Sequence, residues 1–257
     1  MPTPDLTRYD DWLAWLPERA ASDPDLRCAW VGGSAATGGY DDWSDLDLVV
    51  LTTPGTAVAA YTRLLADVRD RFSPDHVWEL PESSWPAGRQ CFVSLDPRPG
   101  TLDGPTRIVD LAVLDLDDER RHVDVRRHGT PLVLHDPDGV MVLRHDDAVA
   151  LEQGAAEAVD QARQRWATAE WLVNRAIARD QLPEAVALYL RFGLMPLVQL
   201  LRVRHCPWRH DYGLRYLHTD LPDDVAARVT SLLPGADRLG DLSTECFAWQ
   251  AELLARP

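Results

Sequence analysis

Lysine is missing from this chain: all 26 side chains counted as Lys or Arg are arginine. Any group that grips a phosphate here must therefore be Arg or His. Cysteine is scarce as well. Cys28, Cys91, Cys206 and Cys246 are scattered, without the paired spacing of a zinc site or a disulfide framework. Cys28 and Cys91 sit in apolar runs and read as buried free thiols of a reducing compartment. No run is read as a membrane span, and Met1-Pro2-Thr3-Pro4-Asp5 lacks the features of a signal peptide, so the expected location is cytoplasmic. Internal repeats and low-complexity tracts are absent too. Positive charge is in deficit: 41 acidic side chains give a net charge of −15. That argues against a nucleic-acid backbone as partner, which needs a basic surface. It favours a cationic ligand by attraction, although the same acidity serves solubility. What remains, 257 residues with 46% hydrophobic side chains, is enough for one large domain or two small ones with real cores.

The most informative stretch runs from Cys28 to Leu51. An apolar run, Cys28 to Val31, predicts a buried strand, closed by a Gly32-Gly33-Ser34 turn. Gly38-Gly39 is a second break. Ser44-Asp45-Leu46-Asp47-Leu48-Val49-Val50-Leu51 then alternates before becoming solidly apolar. Residues two apart on a strand share a face, so Asp45 and Asp47 project together while Leu46 and Leu48 face the core. Two neighbouring carboxylates repel unless a cation sits between them. Hard oxygen donors at that spacing suit Mg²⁺ shared with phosphates. Backbone amides of a Gly-Ser turn suit the phosphates themselves. The plain alternative is a surface hairpin with solvated acids, disfavoured by the flanking hydrophobes.

The order Gly33-Ser34, Gly38-Gly39, Ser44-Asp45-Leu46-Asp47 resembles the signature of the polymerase-β-like nucleotidyltransferase superfamily. In its finer form it is most similar to the aminoglycoside nucleotidyltransferases. The resemblance covers the first half of the chain and becomes generic in the second. It implies an α+β fold: a mixed, twisted sheet domain over residues 1–140, followed by an α-helical bundle over 141–257. It also implies Mg²⁺ on Asp45 and Asp47 and an NTP, ATP in the first instance, cradled by Gly33, Ser34 and Ser44.

Outside that stretch, Leu6–Leu16 has the spacing of an amphipathic helix through Tyr9, Trp12, Leu13 and Leu16. Thr56 is placed to cap a helix reaching Phe72, with Val58, Tyr61, Leu65, Val68 and Phe72 on one face. Strands are expected over 76–80, 90–95 and 107–114, with Trp85-Pro86 a loop anchor between the first two. In the last strand a lone acid, Asp110, interrupts Ile108-Val109 and Leu111-Ala112-Val113. A buried carboxylate without a partner costs several kcal/mol or stays protonated. The economical reading is that Asp110 faces the same cation as Asp45 and Asp47. Ending in solvent, or pairing with Arg107, is the alternative. The resemblance adds a role: a carboxylate from such a strand is a third metal ligand and the base that deprotonates the acceptor hydroxyl.

Residues 115–127 read as a solvated helix start, and His122 and His128, lacking metal spacing, as surface. Leu132–Gly139 predicts a short strand and turn. From residue 146 the period becomes helical, with Val149, Val159, Ala162, Trp166, Ala169, Val173 and Ile177 on one face. Pro183 opens a second helix to Arg204, apolar nearly all round and so expected to be buried, kinked at Gly193 and Pro196. Shorter helices are expected over 209–217, 222–233 and 241–254. Arg202, Arg204, His205, Arg209, His210 and Arg215 concentrate positive charge. By the resemblance one basic residue there, best matched by Arg215, clamps the nucleotide's outer phosphates; a solvated positive face explains the cluster equally well. Trp166, Glu170, Trp171 and Glu184 are the acids and aromatics on offer to an acceptor, with none assigned.

The expected activity is Mg²⁺-dependent transfer of AMP from ATP to a hydroxyl of a small cationic acceptor such as an aminoglycoside, with release of pyrophosphate. The same chemistry on a metabolite, protein or tRNA acceptor is an alternative. So is a nucleotide-binding or antitoxin-like module without turnover. Oligomeric state is left open by the sequence.

Overall fold

The computed structural model describes residues 4–84, 88–96, 104–118 and 122–235. Trp85-Pro86, Leu102-Asp103, Glu119-Arg120-Arg121, Cys246 and the helix expected over 241–254 lie outside them. Its compact units divide at Asp146/Asp147.

The first unit is built on a mixed six-stranded sheet. Its strands are β1 (Leu26–Val31), β2 (Leu46–Thr52), β3 (His76–Glu79), β4 (Gly88–Ser94), β5 (Ile108–Asp115) and β6 (Leu132–His135). Their order is β3-β4-β5-β2-β1-β6. Only β2 and β5, at the centre, run parallel; the other neighbours are antiparallel. The alternation of each strand sorts its side chains by face. Leu46, Leu48 and Val50 of β2, with Val109, Leu111 and Val113 of β5, enter one core under α1 (Asp10–Ser22) and α3 (Ala57–Phe72). Asp47 and Asp110 fall on the opposite face, shared with a smaller cluster of Cys28, Trp30, Leu51, Leu114 and Val123.

The two helices on the core face follow the apolar spacing with local differences. α1 is preceded by a 3-10 turn at Thr7–Tyr9 and runs past the expected Leu16 to Ser22. Its Trp12 is fully buried and stacks on Phe72 at 4.4 Å between ring centroids. In α3, Leu64 is buried while Val58 is exposed, so the buried stripe is offset from the expected one. Thr56 occupies the N-cap position but does not cap; its hydroxyl donates to the Thr53 carbonyl at 2.7 Å. The cap comes from tertiary structure: the Asp115 carboxylate accepts from the Ala57 amide at 3.0 Å. Residues 115–127 likewise depart from a solvated helix start. Asp115 ends β5, Asp118 and Asp124 are buried, and among the described residues of this range only the short α4 (Val125–His128) is helical. A five-residue helix, α2 (Gly33–Thr37), stands where a plain turn was expected, ended by Gly38 at φ 81°.

In the second unit, α5 (Ala148–Ala178) is 31 residues long and capped by Asp147, whose carboxylate accepts from the Val149 amide at 2.9 Å. Its buried positions are Ala155, Ala158, Ala169 and Ala176, whereas Val149, Trp166, Trp171 and Ile177 are exposed. The helix thus turns its small residues inward, where close backbone approach is gained, and the larger apolar ones outward. α6 (Leu182–Leu188), a π-helical turn (Tyr189–Leu194) and α7 (Met195–His205) follow, all packed on α5. The expected kink at Gly193 and Pro196 is this π turn. Burial of this stretch is sparse, limited to Ala185, Leu194, Pro196, Val198 and Arg202. By length and composition the run Leu182–His205 is apolar enough to cross a membrane, which corrects the expectation that no run is. α8 (Leu217–Asp220) and α9 (Asp223–Ser231) are the last helices among the described residues; 209–217 forms turns rather than a helix. Cys28, Cys91 and Cys206 are buried free thiols, as their apolar settings imply.

Candidate active site

The parallel pairing of β2 with β5 decides the site. Asp47 lies opposite Asp110 in register, so the two carboxylates leave the same face of adjacent strands. Asp45, just ahead of β2, completes the group. One oxygen from each of Asp45, Asp47 and Asp110 lies within 4.8 Å of the others, each side chain half-buried. This is the one such group found among the described residues. Three hard oxygen donors in that compass fit a Mg²⁺-type cation, whose remaining positions are commonly water or phosphate oxygen.

Gly33 lies directly on this group. Its amide neighbour Gly32 donates to the Asp47 carbonyl at 2.9 Å, and Gly33 itself adopts φ 55°. A Cβ on Gly33 would overlap the Asp47 carboxylate, so glycine is required both for conformation and for approach. Gly33→Ala is expected to cost about 1–2 kcal/mol from the left-handed backbone alone. It should also push the Asp47 side chain aside, so divalent-cation affinity measured by calorimetry falls further than stability measured in urea. Equal cation affinity in the variant would show that Gly33 does not set the carboxylate's position.

Next to it, the Ser34 hydroxyl is buried with no hydrogen-bond partner among the described residues. An orphaned buried donor of this kind is uncommon and points to a missing partner. Ser44 is engaged elsewhere. Its hydroxyl accepts from the Asp41 amide and donates to the Asp41 carboxylate, both at 3.0 Å, closing the turn before Asp45.

Two further side chains support the site, one at a carboxylate and one at the start of β5, and were not legible as site residues. Gln90 of β4 donates from Nε2 to Asp110 Oδ1 at 2.6 Å. It pairs with Ala112, two residues along β5, and so reaches Asp110 diagonally on the same face. Tyr9 reads as one more apolar position of a helix. Its hydroxyl in fact donates to the Ile108 carbonyl at 3.0 Å and accepts from the Ile108 amide at 3.1 Å, fixing the start of β5. Burial pushes its pKa up to about 12, against the opposing hydrogen bond to Ile108. Arg107 does not pair with Asp110: it bonds Asp96 at 3.2 Å and lies 3.8 Å from Asp11.

A cleft of about 280 Å³ opens over this face. Gly33, Asp47, Gln90 and Asp110 line one part; Val49, Ala112 and Leu114 supply an apolar floor; His122 and His128 belong to its wall. His122 therefore departs from a plain surface reading, whereas His128 is exposed, as expected, while lining the cleft. His122 is half-buried, bonded through Nε2 to Asp146 Oδ1 at 2.6 Å and through Nδ1 to Arg144 at 3.2 Å. Arginine only donates, so Nδ1 accepts and Nε2 carries the proton given to Asp146.

Beneath it, the fully buried Asp124 accepts from the amides of Arg126 and Asp146 at 2.9 and 2.8 Å and from His145 at 3.1 Å. Burial raises its pKa, but these bonds outweigh burial and bring it down to about 2. A lowered carboxylate pKa means stability present above the unfolded value and lost as pH falls through the folded one. Asp124 should thus contribute about 2 kcal/mol at neutral pH, lost between roughly pH 4 and pH 2. Urea midpoints at pH 5 and pH 3 test this: Asp124→Asn should be weaker at pH 5 and lose less on acidification than the wild type.

The basic cluster of the second unit proves structural in part. Arg202 is fully buried and bonds Asp220 at 2.7 Å, the Gly213 carbonyl at 2.7 Å and the Arg215 carbonyl. Arg209 bonds the other Asp220 oxygen at 2.7 Å and lies over the Tyr212 and Tyr216 rings. His210 is buried too. Arg215 remains exposed, its guanidinium 5.4 Å from the Tyr216 ring centroid.

No family model matches the chain, and no curated protein sequence matches it.

Proposed function

We propose that the chain is a divalent-cation-dependent nucleotidyltransferase of the polymerase-β-like type, moving AMP from ATP to a hydroxyl of a small cationic acceptor and releasing pyrophosphate. In this reading the mixed sheet is its catalytic domain and the helical unit the partner domain that completes such enzymes. The observation that carries it is the convergence of Asp45, Asp47 and Asp110 within 4.8 Å beside a glycine pressed on Asp47.

Asp45, Asp47 and Asp110 would hold Mg²⁺, which supplies charge neutralisation for the triphosphate and the departing pyrophosphate. The chain's own groups do the rest. Gly33 leaves room for the Asp47 carboxylate to stand against the turn, and the unpartnered Ser34 hydroxyl offers a donor to a phosphate oxygen. Asp110, held by Gln90, accepts the proton of the acceptor hydroxyl as that oxygen attacks the α-phosphorus. The net charge of −15 suits a cationic acceptor. Arg215, exposed in the second unit, is the proposed contact for the outer phosphates, whereas Ser44 is withdrawn from the ligand set because its hydroxyl closes the Asp41 turn.

The test is Mg²⁺-dependent pyrophosphate release from ATP and GTP across a panel of aminoglycosides. Release with one acceptor, with a product heavier by one nucleotide, is the expected result. Tight Mg·ATP binding without release across aminoglycosides, small metabolites, proteins and tRNA would favour a binding module over an enzyme.

A further inference from the structure

We propose that His128 receives the phosphate oxygens of the ligand in the cleft of the first unit. The inference rests on the nucleotidyl-transfer reading and adds a binding residue that the sequence signature does not contain. It follows from what the other polar side chains of the lining are already doing. Asp47 and Asp110 are carboxylates and offer phosphate no donor. Gln90 gives its amide N–H to Asp110 at 2.6 Å. His122 is held at both ring nitrogens, by Asp146 and Arg144. The ring of His128 carries no hydrogen bond or ion pair among the described residues, yet it lines the same cleft. In a chain without lysine, an imidazole is one of two basic side-chain types left to bond phosphate. Burial, and then the neighbouring Arg127, lowers the pKa of His128, so it meets a phosphate oxygen as an N–H donor.

The position of His128 is fixed relative to the other wall. It ends α4, which Asp124 caps through the Arg126 amide at 2.9 Å. Gly129 follows at φ 79°, so close to the Ala36 carbonyl that a side chain there would collide with it. The Thr130 amide then donates to that same carbonyl at 2.9 Å. Ala36 belongs to α2, which begins at Gly33 beside Asp47. His128 is therefore fastened through backbone to the element that approaches the carboxylates. A triphosphate neutralised at the carboxylate end would present its remaining oxygens to this wall.

Calorimetry with inorganic tripolyphosphate, with ATP and with Mn²⁺ alone, each on the full chain, tests the inference. Tripolyphosphate and ATP are titrated with Mg²⁺ present. His128→Ala should weaken both phosphate ligands by about 10–100-fold, the value of a hydrogen bond to a charged group. Mn²⁺ affinity should be unchanged, and His128→Arg should recover most of the phosphate affinity. Because His128 is exposed, the variants are expected to fold; an unchanged melting temperature checks this. If His128→Ala binds both phosphate ligands as tightly as the wild type, His128 is not the contact and the nucleotidyl-transfer reading stands. Loss of Mn²⁺ binding in parallel would mean that the substitution acts on the carboxylates, which also overturns the inference. Absence of phosphate binding in the wild type would overturn the reading on which it rests.

Discussion

Asp47→Asn is expected to remove nucleotidyl transfer almost completely while leaving the fold intact. Asparagine keeps the shape of the side chain beside Gly33 but replaces one anionic oxygen with an N–H₂ group, which cannot ligate a cation. A cation site contributes several kcal/mol of charge stabilisation to such a transfer, and each 1.36 kcal/mol is tenfold in rate, so a loss of about a thousandfold or more follows. Stability should move the other way. Three carboxylates within 4.8 Å repel one another when no cation is present, and removing one charge relieves that repulsion. Thermal melts with and without Mg²⁺ therefore separate the effects. The variant should melt no lower than the wild type without Mg²⁺, and should lose the rise that Mg²⁺ gives the wild type. Asp110→Asn should give a comparable rate loss, about 10²–10⁴-fold, through the missing proton acceptor. Ordinary turnover in either variant would sink the proposed chemistry.

The second large effect lies in the helical unit. Arg202→Met is expected to destabilise the protein by about 3–5 kcal/mol, the cost of breaking a buried ion pair from one side. Arg202 has no exposed surface, and its partner Asp220 is 7% exposed at the side chain. Methionine fills much of the volume but leaves Asp220 with Arg209 alone and strands the carbonyls of Gly213 and Arg215. Those carbonyls belong to the turns between α7 and α8. Urea denaturation followed by hydrogen exchange should show the loss concentrated at 202–221. A change under 1 kcal/mol would mean that this network is not what holds those turns.

Sequence alone was enough to identify the elements that carry the carboxylates. Alternation in Leu46–Val50 and in Ile108–Val113 puts the aliphatic residues on one face, and that forces Asp47 and Asp110 onto the other. The Gly32-Gly33-Ser34 turn was legible, but that a Cβ on Gly33 would meet the Asp47 carboxylate was not, because Asp47 lies on the next strand. Local pattern, however, says nothing about which strands become neighbours. The parallel pairing of β2 with β5, across 63 positions at Thr52 and Asp115, is a tertiary choice, and it alone sets Asp47 opposite Asp110. Gln90 and Tyr9 escaped notice for the same reason: a glutamine in a strand and a tyrosine in a helix acquire roles only from what packs beside them.

Charge was the least readable property in the one-dimensional chain. Arg202, Arg209 and Arg215 look alike in sequence, yet Asp220 draws the first two into the interior and leaves the third exposed. Asp124 and Asp118 sit in a run of charges that reads as solvated, and both are buried. In α5 the apolar spacing suggested one face through Trp166, Ala169 and Ile177, but of these only Ala169 is buried, with Ala155, Ala158 and Ala176. The periodicity of side chains along a strand or helix is dictated by the backbone and so was fixed before folding. Which face is covered, which charge finds a buried partner and which strands meet depend on residues far away in the chain, and only the tertiary structure decided them.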